Sequence, residues 1–312
     1  MATADLGKVR GQSAYEAWLA QGHTGTIDDF LNRTTLPTMS DTQAGVAKLG
    51  RGLYIDDGTL NVTGFIPHID DDVDWSEIKA MCQQHQLPVG TIITSTWYDT
   101  VNGVLYDFPW IVADNRVMKD EDGIDHTGSI LIAKYSPARD VQFDAGNKAI
   151  WGTSDIRLWL NSDGAAGQWW TPQIESDTEP AWAAGMPGFL REIPQDMRDV
   201  ILPVQIETNQ SGTTVDTMWL PSYSQVYCSS TSEQGSLEWF SSLCQQAGFA
   251  SPTTSNVPAR IITKIDAKNT GNNTWTRSYY NTTSAYYLTA TGGRANNYAN
   301  TSYRSLPACF IG

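Results

Sequence analysis

The residues of this 312-residue chain best equipped for chemistry lie near its end. Between Asn269 and Arg304, Asn, Tyr, Ser and Thr fill 24 of 36 positions, with Tyr at 279, 280, 286, 287, 298 and 303. Leu288 is the sole large aliphatic residue there, and no Asp or Glu follows Asp266. Such a set supports non-covalent recognition rather than bond-making. Tyr gives a large rigid contact at low entropy cost, while Asn and Ser give adaptable hydrogen bonds. The plainer alternative is an idle polar loop, against which the aromatic density argues. A stretch this polar does not fold alone. Trp275-Thr276-Arg277-Ser278 opens it with an apolar anchor, and Leu306 to Ile311 closes it with a run that reads as a buried strand.

Reactive constellations are absent from the sequence pattern. Cys82, Cys228, Cys244 and Cys309 have no metal-ligand spacing, and no His completes a zinc set. They read as small buried apolar residues, with a Cys228–Cys244 bridge as the alternative. His23, His68, His85 and His126 are scattered, none beside a nucleophile motif. Two acidic runs invite a cation: Asp70-Asp71-Asp72-Val73-Asp74, and Lys119 to His126 with Asp120, Glu121, Asp122 and Asp125. Neither has the spacing of a twelve-residue calcium loop, so the first reads as a solvated hinge and the second as a polar hairpin turn. The sequence predicts no enzyme, metal or cofactor.

The net charge is −14, yet residues 267–312 carry Lys268, Arg277, Arg294 and Arg304 with no acid, leaving −18 for the remainder. That distribution argues against nucleic-acid binding by the body and fits a mildly basic tip meeting an acidic surface. No run approaches 18 apolar residues, so no spanning helix or membrane insertion is predicted. The first thirty residues lack the basic-then-apolar pattern of a secretory signal.

Several elements are predicted to position the terminal stretch. Ser13 and Glu16 form a capping box for a short helix ended by Gly22, and Thr26 caps a second over Ile27 to Asn32. Helices so short need a partner. Tyr54-Ile55, Asp57-Gly58 and Leu60-Asn61-Val62 read as a β-hairpin, marginal alone and so intertwined with copies of itself. Asp74 caps a helix over Trp75 to Gln84. From Pro88 onward, Thr91 to Thr94, Phe108 to Ala113, Ser129 to Ala133, Ile201 to Ile206 and Met218 to Ser222 read as strands. Ser154 caps a helix whose Ile156, Trp159 and Leu160 share a face; Ile193 to Arg198 forms another turn, and Glu238 to Ala247 a third helix.

Two resemblances follow from ordered motifs. Gly11-Gln12-Ser13-Ala14-Tyr15-Glu16-Ala17-Trp18, then Met39 to Gly50 and Leu53 to Val62, resembles short modules of bacteriophage tail fibres and other virion appendages. Such modules are usually trimeric, which implies a homotrimer docked to other virion proteins through its N-terminus. The set Trp151 to Asn161, Ile193 to Thr208, Met218 to Tyr227, Trp275 to Ser278 and Arg304 to Ile311 resembles the C-type-lectin-like fold. It is similar in particular to the variable proteins of diversity-generating retroelements. In those systems adenine randomisation turns Asn codons into Tyr, Ser, Thr, Asp, Ile and others, and the absence of Asp here is a departure.

The resemblance implies an α+β chain: a helical attachment module over 1–36, a β-hairpin shaft over 37–66, a linker and short helix over 67–87, and a C-type-lectin-like domain over 88–312. It assigns Trp275, Arg277, Leu306, Pro307 and Phe310 to the scaffold. It assigns Tyr279, Tyr280, Asn281, Thr283, Tyr286, Tyr287, Arg294, Asn296, Asn297, Tyr298, Asn300, Ser302 and Tyr303 to a receptor-facing surface. From residue patterns alone, Tyr286-Tyr287-Leu288 is a strand with one Tyr inward, Arg304 is structural, and Asn296-Asn297-Tyr298 after Gly292-Gly293 is exposed. The implied function is a virion protein, assembled in the bacterial cytoplasm, that attaches to a glycan or protein receptor on the host cell. The alternatives are a structural decoration protein, or an enzyme related to formylglycine-generating ones, for which Cys309 stands alone.

Overall fold

The computed structural model describes residues 55–56, 59–60, 68–69, 73–137, 139–210, 212–227, 235–246, 272–290 and 293–312. The helices expected over 13–32 and the Cys228–Cys244 pairing lie outside the residues described. All described residues belong to one compact unit, Gly52–Gly312. It mixes helices with antiparallel strands, an α+β architecture.

The order begins with an antiparallel pair, β1 (Ile55–Asp56) and β2 (Thr59–Leu60), with Ile55 opposite Leu60 and Asp56 opposite Thr59. Then come β3 (His68–Ile69), α1 (Trp75–Gln83), β4 (Ile92–Ile93), β5 (Thr96–Asp99), β6 (Val104–Asp107), β7 (Trp110–Lys119), β8 (Asp125–Ala133) and β9 (Val141–Gln142). The second half holds α2 (Asp155–Leu160), α3 (Gln195–Arg198), β10 (Val204–Thr208), β11 (Gly212–Asp216), β12 (Met218–Trp219), α4 (Tyr223–Tyr227) and α5 (Glu238–Gln246). The chain closes with β13 (Thr274–Asn281), β14 (Ser284–Leu288), β15 (Arg294–Tyr298), β16 (Ser302–Tyr303) and β17 (Ala308–Ile311). No helix among the described residues is long and apolar enough to cross a membrane.

The core is a six-stranded sheet in the order β12-β17-β8-β7-β4-β3. The C-terminal strand is interior to it: Ala308 pairs Ile132 on one side and Trp219 on the other. Its four residues are fully buried, as the unbroken apolar run requires. Gly128 in β8 makes this possible, because a Cβ there would sit 2.1 Å from the Ile311 carbonyl oxygen. Asp74 caps α1 by accepting from the Ser76 and Glu77 amides at 2.9 and 3.4 Å, and Trp75, Ile78 and Cys82 turn one buried stripe to the core. Ser154 likewise caps α2, burying Ile156, Trp159 and Leu160.

Three expectations are adjusted. The strand expected from Ile201 begins at Val204, with Ile201 making only a bridge to Ile311. The strand expected through Ser222 ends at Trp219; Pro221 cannot donate to a ladder, and Ser222 instead accepts the Gln225 amide at 3.0 Å at the start of α4. Hairpin β5–β6 was absent from the sequence pattern, because β6 is exposed on both faces and shows no alternation.

Candidate binding face of the three-stranded sheet

The Tyr/Asn-rich stretch folds as a separate antiparallel sheet, β13-β14-β15, fastened to the core at several points. Trp275 is fully buried and donates its indole N–H to the Val141 carbonyl at 3.1 Å. Arg277 is equally buried; its guanidinium donates to the Leu220 carbonyl at 2.9 Å and the Gln225 side-chain oxygen at 2.6 Å. These two residues let a polar strand behave as a core strand, because the buried guanidinium is met by oxygens and the indole by a carbonyl. Leu306, Pro307 and Phe310 are buried too, in keeping with their scaffold assignment.

Strand alternation then divides the tyrosines. Tyr287 sits opposite Ala295, and Ala285 opposite Asn297; the two alanines leave room for the Tyr287 ring to lie inward. Its centroid is 4.5 Å from Tyr303 and 6.0 Å from Trp275, and Tyr303 is 4.7 Å from Trp275. Burial, reinforced by the Tyr303 hydroxyl, holds the Tyr287 phenol above its ordinary range. Asn297 donates to the Tyr303 hydroxyl at 2.7 Å and accepts the Tyr298 amide at 2.9 Å. Tyr279 is half-buried against the core as well.

The opposite face carries Tyr286, paired across the strands with Asn296, and Arg294 one register step away. Tyr286 stacks on Tyr223, 5.3 Å between centroids and 24° between planes, and meets the edge of Tyr280 at 5.3 Å. The Arg294 guanidinium carbon lies 4.9 Å from the Tyr223 centroid and 5.1 Å from that of Tyr286. Tyr280 is 47% exposed and Tyr298 60%, whereas Tyr223 is only 7% exposed. Tyr223 is thus a platform, fixed where the Ser278 hydroxyl accepts its amide at 2.8 Å. It escaped the sequence reading; its motif, Met218 to Tyr227, marked the segment but not the contact 63 residues away in sequence.

The remaining candidates rim this sheet. Asn281 is exposed at the β13–β14 turn, where its side chain accepts the Thr283 amide at 3.0 Å. Asn300 on the β15–β16 turn and Ser302 at the start of β16 are exposed, and the Asn300 carbonyl accepts from Gln142 at 2.7 Å. The thirteen candidates therefore form two sets. Tyr280, Asn281, Arg294, Asn296, Tyr298, Asn300 and Ser302 are exposed, with Tyr286 and Thr283 partly so; Tyr279, Tyr287 and Tyr303 pack against the core and Asn297 braces them.

Behind the sheet, the loop after β9 supports both turns. Ala149 donates to the Thr282 carbonyl at 3.1 Å, Asp144 to that of Ala299 at 3.0 Å, and the Asn147 side chain accepts the Asn300 amide at 3.4 Å. Asp144 in this loop and Asp155 at the start of α2 are buried, and burial raises both carboxyls, Asp144 to about 6. The Lys119–His126 turn commits its key acid internally. Asp120 accepts from His126 at 2.8 Å and from the Asp122 and Ile124 amides, and its carboxyl is held below the usual range, chiefly by His126. No group of three or more His, Cys, Asp or Glu among the described residues could hold a metal ion. Cys82 and Cys309 are buried free thiols, both raised by burial, Cys82 to about 11. A cavity of about 270 Å³ between β7 and β10, lined by Arg116, Lys119, Asp125 and Glu207 among others, lies apart from the tyrosines.

A family profile described as a domain of unknown function, DUF6273, matches residues 127–312. The chain belongs to that family. The matched segment opens inside β8 and runs through β17, so it contains the whole three-stranded sheet and its Tyr223 platform. It omits β7, which pairs with β8 along nine residues, and the helix α1 packed nearby; the folded unit is wider than the family match. No curated protein matches the chain, and no solved structure does.

Proposed function

We propose that this DUF6273 chain is a bacteriophage adhesin: a virion protein, trimeric through N-terminal modules that dock it on the particle, with a C-type-lectin-like head that binds a bacterial surface receptor. The observation that carries the reading is the division of tyrosines across β14 and β15. Tyr287 and Tyr303 hold the sheet to Trp275, while Tyr280, Tyr298, Asn296 and Arg294 face solvent with Tyr286 behind them. Exposed rings on a rigid scaffold, interleaved with amides and free of acids, have the makeup of a recognition surface. The ordered fibre-like motifs of residues 11–62 supply the virion context, and a retroelement-like origin accounts for the Asn, Tyr, Ser and Thr excess. Weak binding by one head suffices, since many copies on a particle multiply avidity by about 10² to 10⁴. An oxidative enzyme is disfavoured because its chemistry needs a reactive thiol, and Cys309 is fully buried in an apolar strand.

The test is adsorption of the purified chain to host bacteria. Tyr298→Ala combined with Asn296→Ala is expected to lower binding at least about thirtyfold, roughly 2 kcal/mol for a central anchor and its neighbour. Its melting temperature should match wild type, because both side chains are exposed. Tyr303→Ala should do the reverse in the first instance, lowering the melting temperature by removing a ring packed on Trp275. Unchanged adsorption by the double variant would refute the adhesin assignment.

A further inference from the structure

We infer that the Arg294 guanidinium, set against the Tyr223 and Tyr286 rings, is the subsite for a single carboxylate on an acidic saccharide of the bacterial surface. This rests on the adhesin reading and names the chemistry of its ligand.

The sequence offers four cations after Asp266, but the structure leaves few of them available. Arg277 is buried on carbonyl and amide oxygens, and Arg304 pairs with Asp140 at 2.9 Å and donates to the Pro137 carbonyl at 3.1 Å. Arg294 differs. It is exposed on β15, its contacts among the described residues are the two tyrosine rings, and no acid occurs in the sequence from 267 onward to compete for it. A guanidinium held against aromatic rings, with no protein acceptor for its N–H groups among the described residues, has those donors left for a ligand. Its planar fork matches a carboxylate through two parallel hydrogen bonds.

The surroundings select the carrier of that carboxylate. Asn296 lies across from Tyr286 and supplies both a donor and an acceptor, as sugar hydroxyls require. Tyr280 and Tyr298 present exposed rings, the usual platform for the apolar face of a pyranose. A protein partner would want a desolvated central pocket for its own anchors, whereas Tyr280, Arg294, Asn296 and Tyr298 are all exposed. A densely charged polymer is disfavoured too. The chain carries −14, and among the described residues one guanidinium at this face, that of Arg294, is set to offset a ligand charge. One carboxylate per recognised unit fits better than a run of phosphates.

The experiment uses the full chain, fluorescently labelled, on bacteria drawn from a panel and stained by wild type. Cells are tested untreated, after carbodiimide amidation of surface carboxylates with glycinamide, after protease digestion, and after hydrofluoric acid removal of phosphodiester polymers. Amidation is expected to lower staining about tenfold or more, while protease and hydrofluoric acid leave it intact. Arg294→Gln should lose the same factor on untreated cells and nothing further on amidated ones. Arg294→Lys, with the charge but not the fork, should recover only a minor part. Loss on protease treatment would identify a protein ligand, loss on hydrofluoric acid a phosphate polymer, and either overturns the proposal. If Arg294→Gln stains like wild type while the Tyr298/Asn296 double variant does not, the carboxylate subsite falls and the adhesin stands. If all variants stain alike, or wild type stains no bacterium in the panel, the adhesin reading falls and this one with it.

Discussion

Asp144 provides the sharpest thermodynamic prediction. The residue is 3% exposed, one carboxylate oxygen accepts the Lys148 amide at 2.9 Å, and its own amide holds the Ala299 carbonyl beneath the β15–β16 turn. Burial, together with the nearby Asp155 and Asp177 charges, raises its carboxyl from the ordinary 3.8 to about 6 against the pull of Lys148. Below pH 3.8 the group is protonated in folded and unfolded chains alike and has no effect on stability. Between 3.8 and 6 the unfolded chain releases its proton first, so stability falls as pH rises, by about 1.4 kcal/mol per unit. Above 6 the penalty is constant, at most about 3 kcal/mol and nearer 2 once water reaching the loop screens the charge. Asp144→Asn keeps the acceptor for Lys148 and removes the charge. It should therefore stabilise the protein at pH 7 by about 2 kcal/mol, or roughly 4–8 °C in melting temperature for a unit of this size. The gain should shrink toward zero near pH 4. Calorimetric melts of both proteins across pH 4 to 7.5 decide it, and a shift of equal size at both ends, or a destabilisation at pH 7, refutes the reasoning.

Two further outcomes concern the scaffold. Glu192, 2% exposed, accepts from Trp97 at 3.2 Å, from the Thr100 amide and hydroxyl at 2.9 and 2.8 Å, and from both terminal nitrogens of Arg139, which also pairs with buried Asp99. Glu192→Ala leaves those donors unmet and should cost about 3–5 kcal/mol in urea denaturation; a loss under 1 kcal/mol would show that the network relaxes. Gly128→Ala would place its methyl carbon against the Ile311 carbonyl and the Phe310 ring, so it should destabilise by about 1–3 kcal/mol and loosen hydrogen-exchange protection along β17 first. Protection unchanged in β17 would place the strain elsewhere.

What the sequence disclosed, and what it withheld, follows from the range of each signal. The caps at Asp74 and Ser154, the antiparallel pairing of Ile55-Asp56 with Thr59-Leu60 and the terminal apolar strand are local features, and each appears where its residues predict. Within β14 the pattern had one tyrosine inward, and the structure identifies it as Tyr287, which lies between Trp275 and Ala295 across the sheet and packs on Trp275 and Tyr303. Arg139 was invisible as a core residue: its partners Asp99 and Glu192 lie 40 and 53 positions away, and an isolated Arg in a polar segment reads as surface. The basic tip was overstated for the same reason, since net charge counts Arg277 and Arg304 without knowing that the fold employs them internally.

The same distance argument explains how a polar, nearly leucine-free segment remains folded while offering an exposed polar and aromatic surface. β13 is buried from Thr274 to Ser278, while β15 alternates exposed and half-buried residues. Trp275 and Tyr287 meet Tyr303 on one side, and Leu288 on the other is buried beside Val226 and Phe240. The intervening positions at 280, 294, 296 and 298 contribute little to that packing and are free to differ in chemistry. Under the adhesin reading, a substitution process acting on Asn codons would be harmless where it strikes 296 and costly where it strikes the brace at 297, whose amide holds Tyr303. Adjacent asparagines, identical in codon chemistry, are thus separated in consequence by the two-residue period of a β-strand. Binding specificity and stability can then change independently within one short stretch.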